Sequence, residues 1–394
     1  MTALPGIVSL CGISPDLCQP PSSKACFPID SVNTNSNRIH ACVLGPPVEH
    51  REALLLSLGT FCERVEWLPD FDTFLGGQGR VRSRPQRFVD LTYGIRDRQY
   101  LELLDAKVRA VRPAVMVAYW GTVPLSEIFT WRARYQGIRI ALVLLCYPLG
   151  LRSAEIVRQN FALRRAARAV DAIVCPTVEM ADYLRTQVLR PPLPLLASIA
   201  PCWPREFLAN ERSPAFTSVP NVLFAGRTDF SSKTIQPADD VREEMMQVMD
   251  AGIELFHARS RAELSPHRRR HVFDPLTVRD LIARMSAHDA SLMMYSLKAC
   301  ARTDRFELTV PDRLISSVAA GVPIAIERNG YSASKSYLAR YGSAIEYDDW
   351  HDLYRQLTDR GRVHALQEEA WERKEWYTAE ARGPDYRALV QAIL

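Results

Sequence analysis

Lysine is scarce in this sequence: of 49 basic residues only six are Lys, and the rest are Arg. The skew supplies fixed guanidinium charge rather than titratable amines. Asp and Glu number 45, however, so the formal charge is only +4 and nucleic acid is not indicated as a partner. No apolar run approaches the roughly 18 residues of a membrane-spanning helix. None of the nine cysteines forms a CxxC pair, so neither a zinc site nor a disulfide framework is legible. Their odd count and the lack of a signal peptide lead us to expect a cytoplasmic chain with reduced, buried thiols, as at Cys146 in "ALVLLCYP".

What is present is a globular composition, 47% hydrophobic and 24% charged, over 394 residues. That length exceeds what one core usually supports, so two domains are expected. Residues 1–37 are rich in Pro, Ser and Asn without a sustained period and read as irregular. From "IHACVLG" onward, apolar strands alternate with periodic helices: a helix from about Glu49 to Leu58, a strand near Val65 to Leu68, then "RQYLELLDAKVRAVRP", "AVMVAYWG", "IRIALVLLCYP" and "DAIVCPT". Between them, "GQGRVRSRPQRF" reads as a solvated loop. The alternation predicts an α/β fold with a parallel, doubly wound sheet over 38–203. A proline-rich stretch interrupts it, and 204–220 is expected as the linker. The pattern resumes over 221–370, giving a second such domain, and 371–394 is expected to form helices that cross back to the first.

Tandem α/β sheets bind ligands beyond the carboxyl ends of their strands, beside helix N-termini. Two stretches of the second domain offer such ends. In "NVLFAGRTDFSSKT" a buried strand leads to Gly226, where the chain turns, and then to Arg227 and Lys233, cations able to neutralise a diphosphate. In "VPDRLISSVAAGVPIAI" a helix of Asp312 to Ala320, opened by Pro311 and closed by Gly321, points free amides of Asp312 and Arg313 at the same cleft. Solvated surface charge and an ordinary amphipathic helix are the plain alternatives, and both stay open at this level.

Together "VLFAGRTDFSSK", "HVFDPLTVRDLIARMSAHDASLMMY" and "VPDRLISSVAAGVPIAI" resemble the donor domain of a GT-B glycosyltransferase of the group 1 type. The resemblance implies two Rossmann-like domains facing a cleft, the first binding an acceptor and the second a nucleotide-diphosphate sugar. It implies transfer of the sugar to a hydroxyl of a glycan, a glycolipid or a small molecule, as in polysaccharide biosynthesis, with no metal and no cofactor besides that co-substrate. It places Gly226, Arg227, Lys233, Asp312 and Arg313 at the donor diphosphate, and Phe273, Pro275, Glu307, Ser316 and Ser317 around the nucleoside. His50 resembles the base of some inverting members; its plain reading is a solvent-facing residue in a first helical turn. Asp70, Asp72 and Glu127 are fallback carboxylates.

One departure matters. Retaining members commonly carry two Glu residues eight positions apart, and here those positions are Leu308 and Ser316. Glu307 is adjacent to the first, but a serine hydroxyl supplies no charge at the second. The stereochemistry is therefore open, and so are two other classes: a sugar-nucleotide epimerase or hydrolase on the same fold, and a non-catalytic nucleotide-sugar-binding or scaffold protein. Arg152, Arg158, Arg164, Arg165 and Arg168 stand on a segment with Ile156, Val157, Phe161 and Leu163 and one acid, Glu155. That segment is either a basic amphipathic helix for an anionic membrane face or a solvated helix surface.

Overall fold

The computed structural model describes residues 38–119, 125–135, 137–147, 153–212, 219–226, 237–259, 265–300 and 302–394. Six strands, β1 His40–Gly45, β2 Arg64–Pro69, β3 Val115–Tyr119, β4 Arg139–Val143, β5 Ala172–Cys175 and β6 Leu195–Ser198, pair in the order β2-β1-β3-β4-β5-β6. Six more, β7 Asn221–Phe224, β8 Glu254–Ala258, β9 Arg270–Phe273, β10 Ala290–Met293, β11 Ile324–Glu327 and β12 Ala344–Tyr347, pair in the order β12-β11-β10-β7-β8-β9. Every pairing is parallel, with β1 meeting β3 at Ala41 and Val115, and β7 meeting β10 at Val222 and Ala290. β3, β5, β7 and β10 are buried at each position, as expected of strands covered on both faces by crossover helices.

In the first half these helices are α1 Glu49–Gly59, α2 Phe71–Gly77, α3 Arg84–Tyr93, α4 Arg98–Val111, α5 Leu125–Arg134, α6 Ser153–Ala166 and α7 Val178–Tyr183. In the second they are α8 Arg242–Asp250, α9 Val278–Met285, α10 Asp304–Leu308, α11 Asp312–Ala320, α12 Ser332–Leu338, α13 Trp350–Thr358, α14 Arg360–Arg373 and α15 Gly383–Ile393. Several begin on side-chain caps: Asp97 accepts from the Tyr100 amide, Thr177 from Met180, Thr277 from Asp280 and Asp349 from Asp352. α3 corrects the reading of a solvated loop there. Ser83 caps it and Pro85 lies in its first turn, while Arg82 is buried in an ion pair with Asp72, 2.8 Å away, and another with Asp90. The stretch is exposed through Val81 and again from Pro85 to Arg87, and only Arg82 is drawn inward, by carboxylates eight and ten residues away.

In each sheet the strand order reverses at one place, between β1 and β3 and between β7 and β10. A crevice forms where residues beyond the carboxyl ends of β4, β7 and β10 meet: Leu145 and Cys146 from the first half, Gly226 and Tyr295 from the second. The chain also ties the halves together. α15 lays Tyr386, Leu389, Val390 and Ile393 into the first sheet's core beside Val43, Leu54 and Leu58. Leu308 of α10 is buried among first-half residues that include Met180 and Tyr147.

Candidate active site

α11 is the centre of the crevice. Pro311 precedes it in extended conformation (φ −78°, ψ 151°), so the helix starts at Asp312. Leu314, Ile315, Val318 and Ala319 pack inward, and Gly321 ends it in the left-handed region at φ 65°, with its amide on the Val318 carbonyl. The Leu314 and Ile315 amides turn back to the Pro311 carbonyl, so the first helical bonds begin there, and Asp312 and Arg313 ahead of them line a cleft of about 340 Å³. Leu145 and Cys146, just beyond β4, line it from the first half; Gly226, Tyr295, Arg305 and Arg313 line it from the second.

Gly226 is required by close approach, since a Cβ there would run into the Phe224 ring and the Arg313 guanidinium. Arg313 is held rather than mobile: it donates to the Met294 carbonyl at 2.8 Å, pairs with Asp239 at 3.7 Å, and lies over the rings of Tyr295 and Phe224 at 4.2 and 5.1 Å. Arg305 is a second cation of the cleft, absent from the sequence-based candidates. Burial works against its charge, but Cys146, Tyr295 and Asp239 around it favour that charge and leave its pKa raised. The signal for it was its place on α10, in the connection that follows β10 at the strand reversal. Arg227 and Lys233 lie outside the described residues, as do residues 1–37 and Arg152.

His50 is not solvent-facing. It is 5% exposed, in the first turn of α1, with Nε2 3.0 Å from Asp312 Oδ1 and its ring 4.5 Å from that of Trp203. Asp312 remains 64% exposed toward the cleft. Burial opposes its ionisation, but the hydrogen bond and charge of His50, followed by the charges of Arg313 and Arg305, outweigh it and hold the carboxyl below its usual range.

The residues expected around the nucleoside make contacts of their own. Ser316 is buried, and its hydroxyl accepts the Trp203 indole N–H at 3.0 Å. Ser317 is buried, its hydroxyl donating to the Arg313 carbonyl and accepting from the Ser291 hydroxyl of β10 at 2.7 Å, so it faces the sheet. Glu307 accepts from the Ser332 amide and hydroxyl at 3.0 and 2.6 Å, which commits it to the start of α12. Phe273 is buried at the edge strand under the Arg284 guanidinium, and Pro275 is exposed beyond it; neither borders the cleft. Trp203 was missed by sequence reasoning. A lone tryptophan in a proline-rich stretch was its signal; its backbone bridges Thr378 while its ring joins His50 to Ser316.

The fallback carboxylates have structural work. Asp70 caps α2 through the Thr73 amide, Asp72 pairs with Arg82, and Glu127 accepts the Phe71 amide at 2.8 Å. Among the described residues no cluster of three His, Cys, Asp or Glu could hold a metal, and the six described cysteines are free thiols.

No protein-family model and no curated sequence matches the chain. Solved structures do match in shape. Sucrose-phosphate synthase from Thermosynechococcus elongatus superposes with a TM-score of 0.62 at 12% identity, over 90% of this chain and 100% of that one. The E. coli trehalose-6-phosphate structure bound with UDP-2-fluoro glucose gives 0.59 at 10% identity, over 90% and 99%. Anabaena HepE in complex with UDP gives 0.56 at 9% identity, over 90% and 100%. Identities this low speak to shape alone, and on shape the chain has the two-domain GT-B glycosyltransferase fold.

Proposed function

We propose that the chain is a glycosyltransferase that moves a sugar from a nucleotide-diphosphate donor to an acceptor hydroxyl, without a metal. The observation that carries this reading is the N-terminus of α11 opening on the cleft between the two sheets, with Arg305 and Arg313 beside it. Charge builds on the leaving diphosphate as the glycosidic bond breaks, and helix amides and fixed guanidiniums stabilise that charge without reorganising. The sequence assigns Arg227 and Lys233, which lie outside the described residues, to the same diphosphate. The transferred sugar goes to a glycan, a lipid-linked or a small-molecule acceptor held by the first half. Free thiols fit a cytoplasmic setting, and the exposed Val157, Arg158 and Phe161 of α6 with Arg168 just beyond it fit a peripheral contact with an anionic membrane face.

A thermal-shift screen of UDP, GDP and dTDP with their sugars tests the reading, because a ligand that binds only the folded state raises apparent stability by mass action. One nucleotide family should raise the midpoint. In Arg227→Ala and Lys233→Ala that response should weaken strongly with folding unchanged; an undiminished response in both variants would remove them from the site.

A second reading has its own observation. Both positions of the missing glutamate pair are packed away, Leu308 in the first-half core and Ser316 against Trp203. That favours a non-catalytic nucleotide-sugar-binding protein, which would show the thermal shift with no release of nucleoside diphosphate. An epimerase or hydrolase would instead consume donor with no acceptor present.

A further inference from the structure

One carboxylate of the cleft has no structural task that accounts for its position. Asp312 stands on α11, but its side chain crosses to the first half, where Oδ1 meets His50 Nε2 at 3.0 Å. The imidazole is nearly sealed off and does not border the cleft, whereas Asp312 borders it and is 64% exposed. The carboxylate is therefore in front and the imidazole behind, with Oδ2 left for a bound group.

We infer that Asp312 is the catalytic residue that takes the acceptor's proton and that His50 is the positioning residue that aims it. This rests on the transferase reading above. In the step, the acceptor hydroxyl oxygen bonds to the anomeric carbon. The bond from that carbon to the donor's diphosphate oxygen breaks, and its electron pair leaves with the nucleoside diphosphate. The hydroxyl proton passes to Asp312 Oδ2. Water in place of the acceptor gives hydrolysis by the same transfers.

The carboxylate lies on the side where an acceptor must arrive, because its partner belongs to the first half. The groups facing it are His50 on α1, Cys146 beyond β4, Arg305 on α10 and Arg313 on its own helix. His50, Arg313 and Arg305 keep it charged, so it is ready to accept a proton, which passes as the attacking oxygen bonds to carbon and becomes acidic. His50 contributes by fixing the carboxylate's direction across an otherwise open cleft.

The test uses the full chain with UDP-glucose, GDP-mannose and dTDP-glucose, water as acceptor, and nucleoside diphosphate release as the readout. UDP, GDP and dTDP binding is followed separately by thermal shift. Asp312→Asn should lower kcat about 100-fold or more with the nucleotide-induced shift unchanged. His50→Ala should lower kcat less and move the acid limb of the pH–rate profile upward, since the hydrogen bond that opposes the cost of burial is gone. His50→Gln, which can still donate, should recover part of both effects. Asp312→Asn turnover within threefold of wild type, loss of nucleotide binding in that variant, or an unmoved acid limb in His50→Ala overturns the assignment alone. A wild-type protein that neither binds nor releases any of the three nucleotides overturns the transferase reading, and the assignment with it.

Discussion

Ser316 stands where a retaining relative would keep a glutamate, and its surroundings explain why a carboxylate cannot simply be restored. The hydroxyl is buried and satisfied by the Trp203 indole, whose ring also packs on His50. A glutamate there would have to displace the indole and would carry its charge into a buried position. Ser316→Glu should therefore cost about 3 kcal/mol or more, the scale of an uncompensated buried charge, with a lower thermal midpoint and no gain in turnover. A stable, more active variant would show that the site can accept the carboxylate after all. Glu127 gives the second residue-scale prediction. It is fully buried, Oε2 has no partner among the described residues, and burial pushes its carboxyl from 4.5 up to about 7. The folded state thus holds this proton more tightly than the unfolded state, so Glu127's contribution to stability is full below about 4.5 and is lost as pH rises through about 7. The loss is roughly 3 kcal/mol, and Glu127→Gln should remove it from the pH dependence of urea unfolding. Identical pH slopes in the two proteins would refute this.

Among the elements, α6 shows best how tertiary structure sorts residues that look alike in sequence. Two of its arginine-rich set serve the fold: Arg164 donates to the Val188 carbonyl and Arg165 lies over the Phe129 ring. Arg158 and Arg168 are exposed, as are Val157 (68%) and Phe161 (62%), one turn apart. If this surface meets a membrane, Val157→Asp with Phe161→Asp should abolish flotation with vesicles containing anionic lipid, with an unchanged thermal midpoint. Wild-type protein that fails to float with such vesicles would rule the contact out. α11 was legible from its own residues, with its start at Asp312 and its stop at Gly321. The burial of Arg82, just ahead of α3, was not, because it depends on Asp72 and Asp90, and a period reading registers charge without partners.

At the scale of the whole molecule, the chain's end belongs to the chain's beginning. α15 buries four apolar side chains against the first sheet and packs along α1. Ending the chain after Arg382 would expose that core at a cost of about 1.5 kcal/mol or more per lost side chain, enough to rival the stability of a domain. We expect such a truncation to lose cooperative urea unfolding of the first half and most of its soluble yield. A truncated protein with the full-length midpoint would mean that α15 contributes little to the core.

By itself the sequence determined the parallel α/β alternation in both halves, the helix that starts at Asp312, and the turn that needs Gly226. Each depends on local period or on the shape of a single residue. Only the tertiary structure decided that His50 is buried, that Asp312 reaches across to it, that Trp203 occupies Ser316, and that Glu307 serves α12. These contacts join residues 25 to 262 positions apart. Whether a carboxylate is free for chemistry depends on which distant partner claims its oxygens, and local periodicity holds no trace of that.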